Sequence, residues 1–203
     1  MANLYKLSKL AFVFLFCSFC FGVELDVRDF GALGDGKTVN TASIQDAIDT
    51  CSKAGGGRVV LCGGKYVTGG IVLKDNVTLH ISKGATLEAS KDISDFKPML
   101  PDTETFTNIH AMYSDKALIF AEKQENIGIS GDGTIDGKGD VHKGEARKRP
   151  YVILFSECKQ VKVEDIYIKN SPFWVQHFLK CDDVLIRGLT VRSRVNGNNG
   201  GID

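Results

Sequence analysis

Apolar and polar residues alternate in short runs along most of the chain, and the clearest runs lie in residues 151–193. One pattern occurs there twice, 23 residues apart, with the same order of residues: Cys158, Val161, Val163, Ile166, Ile168 and Asn170, then Cys181, Val184, Ile186, Leu189, Val191 and Ser193. Alternating, mostly β-branched residues are typical of strands, and self-similarity at a fixed period indicates a solenoid. The pattern predicts a β-helix with coils about 4.8 Å apart; two unrelated strands of a β-sandwich are the alternative.

One segment near the N-terminus has a helical pattern instead. Its apolar residues follow the i, i+3, i+4, i+7 spacing of an amphipathic helix: Ile44, Ala47, Ile48 and Cys51. Asn40, Thr41 or Ser43 can cap its start, and the glycines at 55–57 end it. We expect this helix to cover the open end of the solenoid, because an uncovered end exposes apolar core and unpaired strand edges.

A second, weaker echo links two segments that lie further apart. Three apolar residues recur 48 residues later: Leu79, Ile81 and Leu87, then Ile127, Ile129 and Ile135. This spacing predicts that the two segments are separated by about two coils. Residues 91–115 and 137–149 break the strand pattern and are predicted to be long loops. Loops that leave a rigid scaffold are where binding clefts are usually built.

The first 22 residues differ from the rest of the chain. Lys6 and Lys9 precede a 13-residue apolar run, which is the length of a signal-peptide core and too short to span a bilayer. Cleavage after Gly22 leaves a mature chain of residues 23–203, secreted or periplasmic, with no membrane attachment. A lipoprotein acylated at Cys17 or Cys20 is the alternative.

Charge and cysteine content narrow the function classes. The formal net charge is zero, so there is no excess of basic residues of the kind that nucleic-acid binding requires. The mature chain has four cysteines, whose spacing does not fit a zinc site: Cys51, Cys62, Cys158 and Cys181. The last two hold the same place in successive coils and are predicted to stack, either as a disulfide or as buried free thiols.

Four stretches of the mature chain share features with one known group: DVRDFGALGDGKTVNTASIQDAIDTCSKAGGGRVVLCGGKYVTGGI, LKDNVTLHISKGATLEAS, GDGTIDGKG and RPYVILFSECKQVKVEDIYIKNSPFWVQHFLKCDDVLIRGLTV. Together they resemble glycoside hydrolase family 28, the polygalacturonase group of the pectin-lyase-like superfamily. The last stretch is the most specific, because Arg149-Pro150 and the Asn-Ser-Pro-Phe-Trp run are typical of this group. The resemblance implies an all-β, right-handed parallel β-helix.

The same resemblance implies an activity. Family members hydrolyse α-1,4 bonds of pectic polysaccharide with inversion, and the resemblance implies no metal and no cofactor. One carboxylic acid protonates the leaving oxygen, and a second carboxylate, roughly 6.5–9.5 Å away, activates a water. Burial or neighbouring carboxylates keep the acid protonated by raising its pKa. The implied partner is pectic polysaccharide, and the full-length protein is expected to be a monomer.

The family's first active-site motif, Asn-x-Asp-Gly-Ile-Asp, aligns with residues 198–203. The alignment implies a catalytic Asp203 and a substrate-binding Asn198, whereas Gly200 stands where the motif has its catalytic aspartate. Residues 25–203 contain no counterpart of the family's later Asp-Asp, Gly-His-Gly and Arg-x-Lys elements. We therefore expect the N-terminal part of a glycosidase domain, truncated at its C-terminus, which aggregates or is inactive when expressed alone.

Several other residues have two interpretations. His177 and Trp174 follow the Ser-Pro run and can contact substrate, or they can be a hydrogen-bonded turn histidine and a packed tryptophan. Asp182-Asp183 resembles an acidic pair, but its place at the start of a strand favours a solvated turn. His142 lies in the second long loop and has no recognisable partner in the sequence.

Two other functions fit the same fold. A uronate lyase or epimerase would need clustered acidic residues for calcium, and no such cluster is evident in residues 25–203. A non-catalytic β-helix that binds polysaccharide would explain Gly200 as a loss of the acid. The residues of a complete domain would distinguish these functions from a hydrolase.

Overall fold

The chain folds as a parallel β-helix. The computed structural model describes residues 22–103, 114–145, 148–198 and 200–202. Within these residues, sixteen strands form three sheets, and neighbouring strands pair in parallel. Each complete coil passes once through each sheet, always in the same order. The predicted all-β solenoid is confirmed.

The three sheets are named A, B and C in the order in which a coil visits them. Sheet A contains β1 (Val23–Asp26), β3 (Gly57–Leu61), β6 (Val77–Ile81), β9 (Glu125–Ser130), β12 (Lys159–Glu164) and β15 (Asp182–Arg187). Sheet B contains β2 (Asp35–Val39), β4 (Gly64–Thr68), β7 (Ala85–Ala89), β10 (Thr134–Asp136), β13 (Tyr167–Lys169) and β16 (Thr190–Arg192). Sheet C contains β5 (Ile71–Val72), β8 (Ala117–Glu122), β11 (Tyr151–Ser156) and β14 (Gln176–Leu179). The helices are α1 (Thr41–Lys53) and two short 3-10 turns, Val27–Phe30 and Ile93–Asp95.

The 23-residue repeat in the sequence corresponds to the register of the stacked coils, because residues 23 apart pair in neighbouring strands. Val161 pairs with Val184 in sheet A, and Ile168 pairs with Val191 in sheet B. Val161 and Ile168 are fully buried, whereas Val184 and Val191 are each 37% exposed. The difference arises because β15 and β16 are the outermost strands of their sheets among the described residues. The predicted stack of apolar residues is therefore present at this pair of coils.

The weaker repeat, which relates residues 79–87 to residues 127–135, does not have the predicted spacing of two coils. β6 pairs directly with β9, so that Leu79 lies beside Ile129, while Leu87 pairs with Ile135. The offset is thus 50 residues in sheet A and 48 in sheet B, and the two segments belong to neighbouring coils. The prediction was wrong because residues 90–116 separate β7 from β8 within one coil and so lengthen the chain between paired strands without adding a coil.

Helix α1 covers the first coils, as expected. It packs against β1, β3, β5 and β6, and its buried residues are the predicted ones: Ile44, Ala47, Ile48 and Cys51. Asn40 occupies the N-cap position, but its side chain makes no capping hydrogen bond. The Asn40 amide instead accepts from the Leu33 backbone N–H at 2.6 Å and donates to the Val67 carbonyl at 3.3 Å, joining the entrance of the helix to sheet B.

The predicted signal peptide and the search for membrane-spanning helices concern different parts of the chain. The predicted signal peptide, residues 1–22, lies outside the described residues except for Gly22. In the part of the chain that the structure describes, no helix is long and apolar enough to cross a membrane.

The four described cysteines are free thiols. Cys158 and Cys181 stand side by side in neighbouring coils, where the Asp182 backbone N–H donates to the Cys158 carbonyl at 2.9 Å. The predicted stacking is confirmed. The interaction between the two sulfurs lowers the pKa of Cys181 to about 7 and raises that of Cys158. Cys158 is therefore the thiol that keeps its proton.

Candidate functional site

Three turns connect sheet B to sheet C on one side of the solenoid, in three successive coils. The structure describes their residues 90–103, 114–116, 137–145, 148–150 and 170–175. Equivalent turns of stacked coils lie beside one another, so these turns form a continuous border of sheet C. The predicted site residues Trp174 and His177 lie at this border.

An aromatic cluster lies on the face of sheet C that points away from the solenoid core; its members are Tyr151, Phe173, Trp174 and His177. The Tyr151 and His177 rings stack with centroids 5.6 Å apart, and the Trp174 ring lies 4.7 Å from that of His177. Trp174 is partly exposed, whereas only 9% of the His177 surface is exposed. Trp174 thus packs in the coil and still presents ring surface, which suits the apolar face of a sugar.

The segment that aligns with the family motif lies beside the start of β14, at the edge of sheet C. The Val175 backbone N–H donates to the Gly200 carbonyl at 3.0 Å, and the Gln176 amide donates to the Gly201 carbonyl at 3.3 Å. Gly200 is exposed and carries no side chain there. Asn198 is also exposed and has a left-handed backbone, with φ of 56°. The motif therefore lies directly beside the strand that carries His177.

Asp203, the residue to which the resemblance assigns catalysis, lies outside the described residues. The structure therefore brings Trp174, His177, Asn198 and the Gly200 backbone to one region, and it leaves the role of Asp203 a prediction.

Arg149 ties the turn before this motif to the previous coil. The side chain is 8% exposed, and its Nη1 donates to the carbonyls of Gly197 at 3.0 Å and Pro172 at 3.3 Å. Its guanidinium also lies over the Phe173 ring, 5.2 Å from the centroid. A buried guanidinium with two carbonyl acceptors holds both turns in a fixed relation. In the sequence, Arg149 is typical of the family, but nothing there indicates this contact.

Asn196 makes a second connection, to the loop of an earlier coil. Its Nδ2 donates to the Gly139 carbonyl at 2.6 Å and to the His142 carbonyl at 3.1 Å. The residue is one of several asparagines in a glycine-rich turn, so no sequence pattern indicates this role. The motif-bearing turn is thus fixed on one side by Arg149 and on the other by Asn196.

His142 has a partner that its sequence neighbours do not reveal. Its Nε2 donates to the Ser90 carbonyl at 2.7 Å; the carbonyl can only accept, so Nε2 carries the hydrogen. The ring is 6% exposed and meets Phe96 edge to face at 5.8 Å. The sequence shows no recognisable partner for His142, because Ser90 is 52 residues away and only the stacking of coils brings it near.

The acidic pair Asp182-Asp183 lies away from this region, at the start of β15 in sheet A. Both residues are exposed, and Asp183 has a φ of 55°. Gln160 and Asn126, at the equivalent positions of the two preceding coils, have φ of 51° and 53°. The pair therefore occupies a repeated left-handed turn position, as the solvated-turn interpretation predicts.

Asp136, the last residue of β10, is a buried carboxylate next to the border turns, with 4% of its surface exposed. Lys169 forms an ion pair with it at 3.2 Å, and the Asn170 amide donates to it at 3.2 Å. These partners satisfy the carboxylate and link two coils, which is a structural task. Among the described residues, no group of three or more His, Cys, Asp or Glu side chains is placed to hold a metal ion.

Comparison with known proteins now identifies the family. The sequence profile of "Glycosyl hydrolases family 28" matches residues 70–203. A protein of Vitis vinifera named "Probable polygalacturonase" is 33% identical over 192 residues, which cover 89% of this chain and 39% of the grapevine protein. Alginate lyase 7 of Azotobacter vinelandii is 40% identical over 124 residues, which cover 61% of this chain and 14% of the lyase.

A solved structure has a similar fold over most of this chain. The exopolygalacturonase of Thermotoga maritima superposes with a TM-score of 0.77 at 28% identity, over 89% of this chain and 49% of the Thermotoga chain. This chain therefore spans about two fifths of the grapevine relative and about half of the Thermotoga structure. The residues that the family profile matches include the aromatic cluster and the motif beside β14. Because this match covers more than half of the chain, the chain belongs to family 28 of the glycosyl hydrolases.

Proposed function

We propose that the protein is a secreted, polygalacturonase-like hydrolase that cleaves α-1,4 bonds of pectic polysaccharide with inversion. Residues 1–22 would direct its export, and residues 23–203 would form the N-terminal part of a longer, monomeric glycosidase domain. The observation that carries the proposal is the position of Gly200 and Gly201, whose carbonyls accept hydrogen bonds from Val175 and Gln176 beside the Trp174–His177 surface. Family membership and the polygalacturonases among its relatives support the substrate class.

The proposed roles follow from the placement of each residue. Trp174 presents a partly exposed ring on which a sugar can pack, and His177, three residues later in β14, packs against that ring. Asn198 is exposed on the turn that leads into the motif and can hydrogen-bond substrate hydroxyl groups. Asp203 would act as one carboxylate of the inverting pair.

The rest of the catalytic machinery would come from further coils of the full-length protein. An inverting hydrolase needs a second carboxyl group roughly 6.5–9.5 Å from the first, and Gly200 supplies none. The other groups of the active site would stand on later coils, in a domain of the length of the relatives, and the lack of a carboxyl group at residue 200 would leave the protein slower than a relative with aspartate at that position. Expressed alone, residues 23–203 are expected to aggregate or to be inactive, and soluble hydrolysis by this piece would contradict that expectation.

Incubation of the full-length protein with polygalacturonate tests the proposal. New reducing ends should appear, and proton NMR of the first product should show the β-anomer released from an α-linked substrate. An α-anomeric first product would contradict inversion. Binding of the polymer without any new reducing ends would identify a non-catalytic polysaccharide-binding protein instead.

A uronate lyase or epimerase is the second candidate, because the alginate lyase of Azotobacter vinelandii is 40% identical over its matched part. A lyase breaks the chain by elimination and leaves a 4,5-unsaturated uronate that absorbs ultraviolet light, whereas a hydrolase leaves saturated ends. The same incubation, repeated with alginate, separates the two candidates. Unsaturated product from either polymer would overturn the hydrolase proposal.

A further inference from the structure

The charge of this neutral protein is unevenly distributed, and its most basic loop borders the proposed site. Residues 137–149 contain five basic residues and two acidic ones, although the whole chain has a net charge of zero. Part of this loop and the turn after β7 line an open surface hollow of about 600 Å³. Its lining includes the lysines Lys91, Lys143 and Lys148 and the apolar side chains of Ile93 and Val141.

Two of these lysines have no ion-pair partner within the described residues. Lys148 pairs with Glu145 at 3.7 Å, but no carboxylate of the described chain forms a salt bridge with Lys91 or Lys143. The acidic residue of the lining, Asp92, accepts a hydrogen bond from the Ser94 backbone N–H at 2.9 Å. The hollow therefore presents exposed ammonium groups that an anionic ligand can neutralise.

The walls of the hollow are held in place from both sides. His142, which is 6% exposed, fixes the basic loop to the Ser90 carbonyl at 2.7 Å. Asn196 binds the Gly139 and His142 carbonyls of the same loop at 2.6 and 3.1 Å. Asn196 is two residues before Asn198 of the motif, so one wall is shared between the hollow and the motif-bearing turn. A fixed wall limits the conformational entropy that binding must remove.

We propose that this hollow is a subsite for the carboxylate of a uronate residue, in the same polyanionic chain that the motif receives. The lysines would bind the carboxylate, and Ile93 and Val141 would contact the apolar face of the ring. A methyl-esterified residue, which has no charge, would gain nothing from the lysines. The inference rests on the proposed function, because it assumes that a pectic chain lies along sheet C.

The experiment compares two double variants of the full-length protein. Lys91→Gln with Lys143→Gln removes the two unpaired charges, whereas Lys159→Gln with Lys162→Gln removes two exposed lysines on β12, in sheet A. Calorimetry measures the Kd for polygalacturonate and for highly methyl-esterified pectin at low and moderate salt. Thermal denaturation checks that both variants fold, which is expected because all four lysines are exposed.

We expect the first double variant to raise the Kd for polygalacturonate by about tenfold at low salt, since each exposed lysine contributes a few-fold. Salt should reduce this difference, and neither the Kd for esterified pectin nor the sheet A control should change. Equal Kd values for both variants and the wild type would overturn the subsite.

The outcomes also separate this inference from the hydrolase proposal. A wild type that hydrolyses polygalacturonate while both double variants bind it equally overturns the subsite alone. If the wild type binds the polymer without cleaving it, and only the Lys91→Gln, Lys143→Gln variant binds more weakly, the subsite is supported and the hydrolase proposal is overturned. A wild type that neither binds nor cleaves the polymer overturns both.

Discussion

The two kinds of turn in this solenoid differ in how strictly they repeat. At the start of the sheet A strands, Asn126, Gln160 and Asp183 repeat one left-handed conformation, with φ of 53°, 51° and 55°. Between sheets B and C, residues 90–116 and 137–150 connect equivalent strands by segments of unequal length. Repetition builds the scaffold, because identical turns keep the coils in register. The unequal turns border the aromatic cluster and line the basic hollow. They also contain Arg149 and the carbonyls that Asn196 binds, which hold the motif-bearing turn in place.

The largest expected effect comes from the position where the motif lacks its acid. Gly200→Asp places a carboxyl group beside β14 and should raise kcat on polygalacturonate by about 10²- to 10⁴-fold, the usual contribution of a general acid or base. Gly200→Asn is the matched control, since it adds a side chain of the same size without the acid. Initial rates of reducing-end release on the full-length variants provide the measurement.

An equal rate for Gly200→Asp, Gly200→Asn and the wild type would show that the missing acid does not limit catalysis. The family's residue-by-residue correspondence at residues 198–203 would then be wrong for this protein.

The scaffold itself should be sensitive in a different way. Phe155 is fully buried in the core, where its ring meets that of Phe178 at 5.9 Å. Phe155→Ala should lower the free energy of unfolding by about 3–5 kcal/mol through lost burial and the cavity left behind. Lys162→Gln, exposed on β12, should change it by less than about 0.5 kcal/mol. Urea denaturation of the full-length protein measures both; similar values for the two would contradict the described core.

A smaller, local effect is expected at the anchor of the motif. Arg149→Met removes the hydrogen bonds to the Gly197 and Pro172 carbonyls, and the loss of bonds from a charged donor costs about 1.5–3 kcal/mol. Backbone amides of the motif-bearing turn should therefore exchange with solvent at least about tenfold faster. Hydrogen-exchange mass spectrometry measures this, and Arg149→Lys should restore part of the protection.

Exchange that accelerates equally throughout the chain would indicate global destabilisation and not a positioning role. Unchanged exchange at residues 196–202 would show that Arg149 does not hold this turn.

The smallest effect concerns a thiol outside the proposed site. The pKa of Cys181 is lowered to about 7 by its interaction with Cys158, so its thiolate forms as the pH rises through 7 instead of near 9. Alkylation by iodoacetamide should follow that titration, while Cys158, whose pKa is raised, and Cys51, whose pKa burial raises, should react slowly. Mass spectrometry after short exposure at several pH values provides the measurement, with Cys181→Ser as control. Half-maximal reaction near pH 9 would contradict the sulfur contact.

The scaffold could be predicted from the sequence because it repeats. Val161 and Val184 show their pairing at a fixed 23-residue spacing, and the predicted register was confirmed. The spacing failed at Leu79 and Ile129, because the long excursion of residues 90–116 lies between two paired strands and follows no repeat.

The sequence pointed to candidate site residues only through the family resemblance. Trp174 and His177 belong to or follow its Ser-Pro-Phe-Trp run, and the structure places them beside the aligned motif. The partners of Arg149, Asn196 and His142 could not be predicted, because each contact joins turns of different coils 23 to 57 residues apart in sequence. Such contacts depend on how the loops fold back, and no local pattern encodes that.

Binding of pectic polysaccharide to the aromatic face of sheet C is the central claim, and the Kd of Trp174→Ala for polygalacturonate tests it most directly. In the full-length protein this variant should raise the Kd about tenfold or more, as expected for loss of an aromatic anchor. Trp174→Phe should retain most of the affinity, and Lys162→Gln on sheet A should retain all of it. An unchanged Kd in a folded Trp174→Ala protein would contradict the claim.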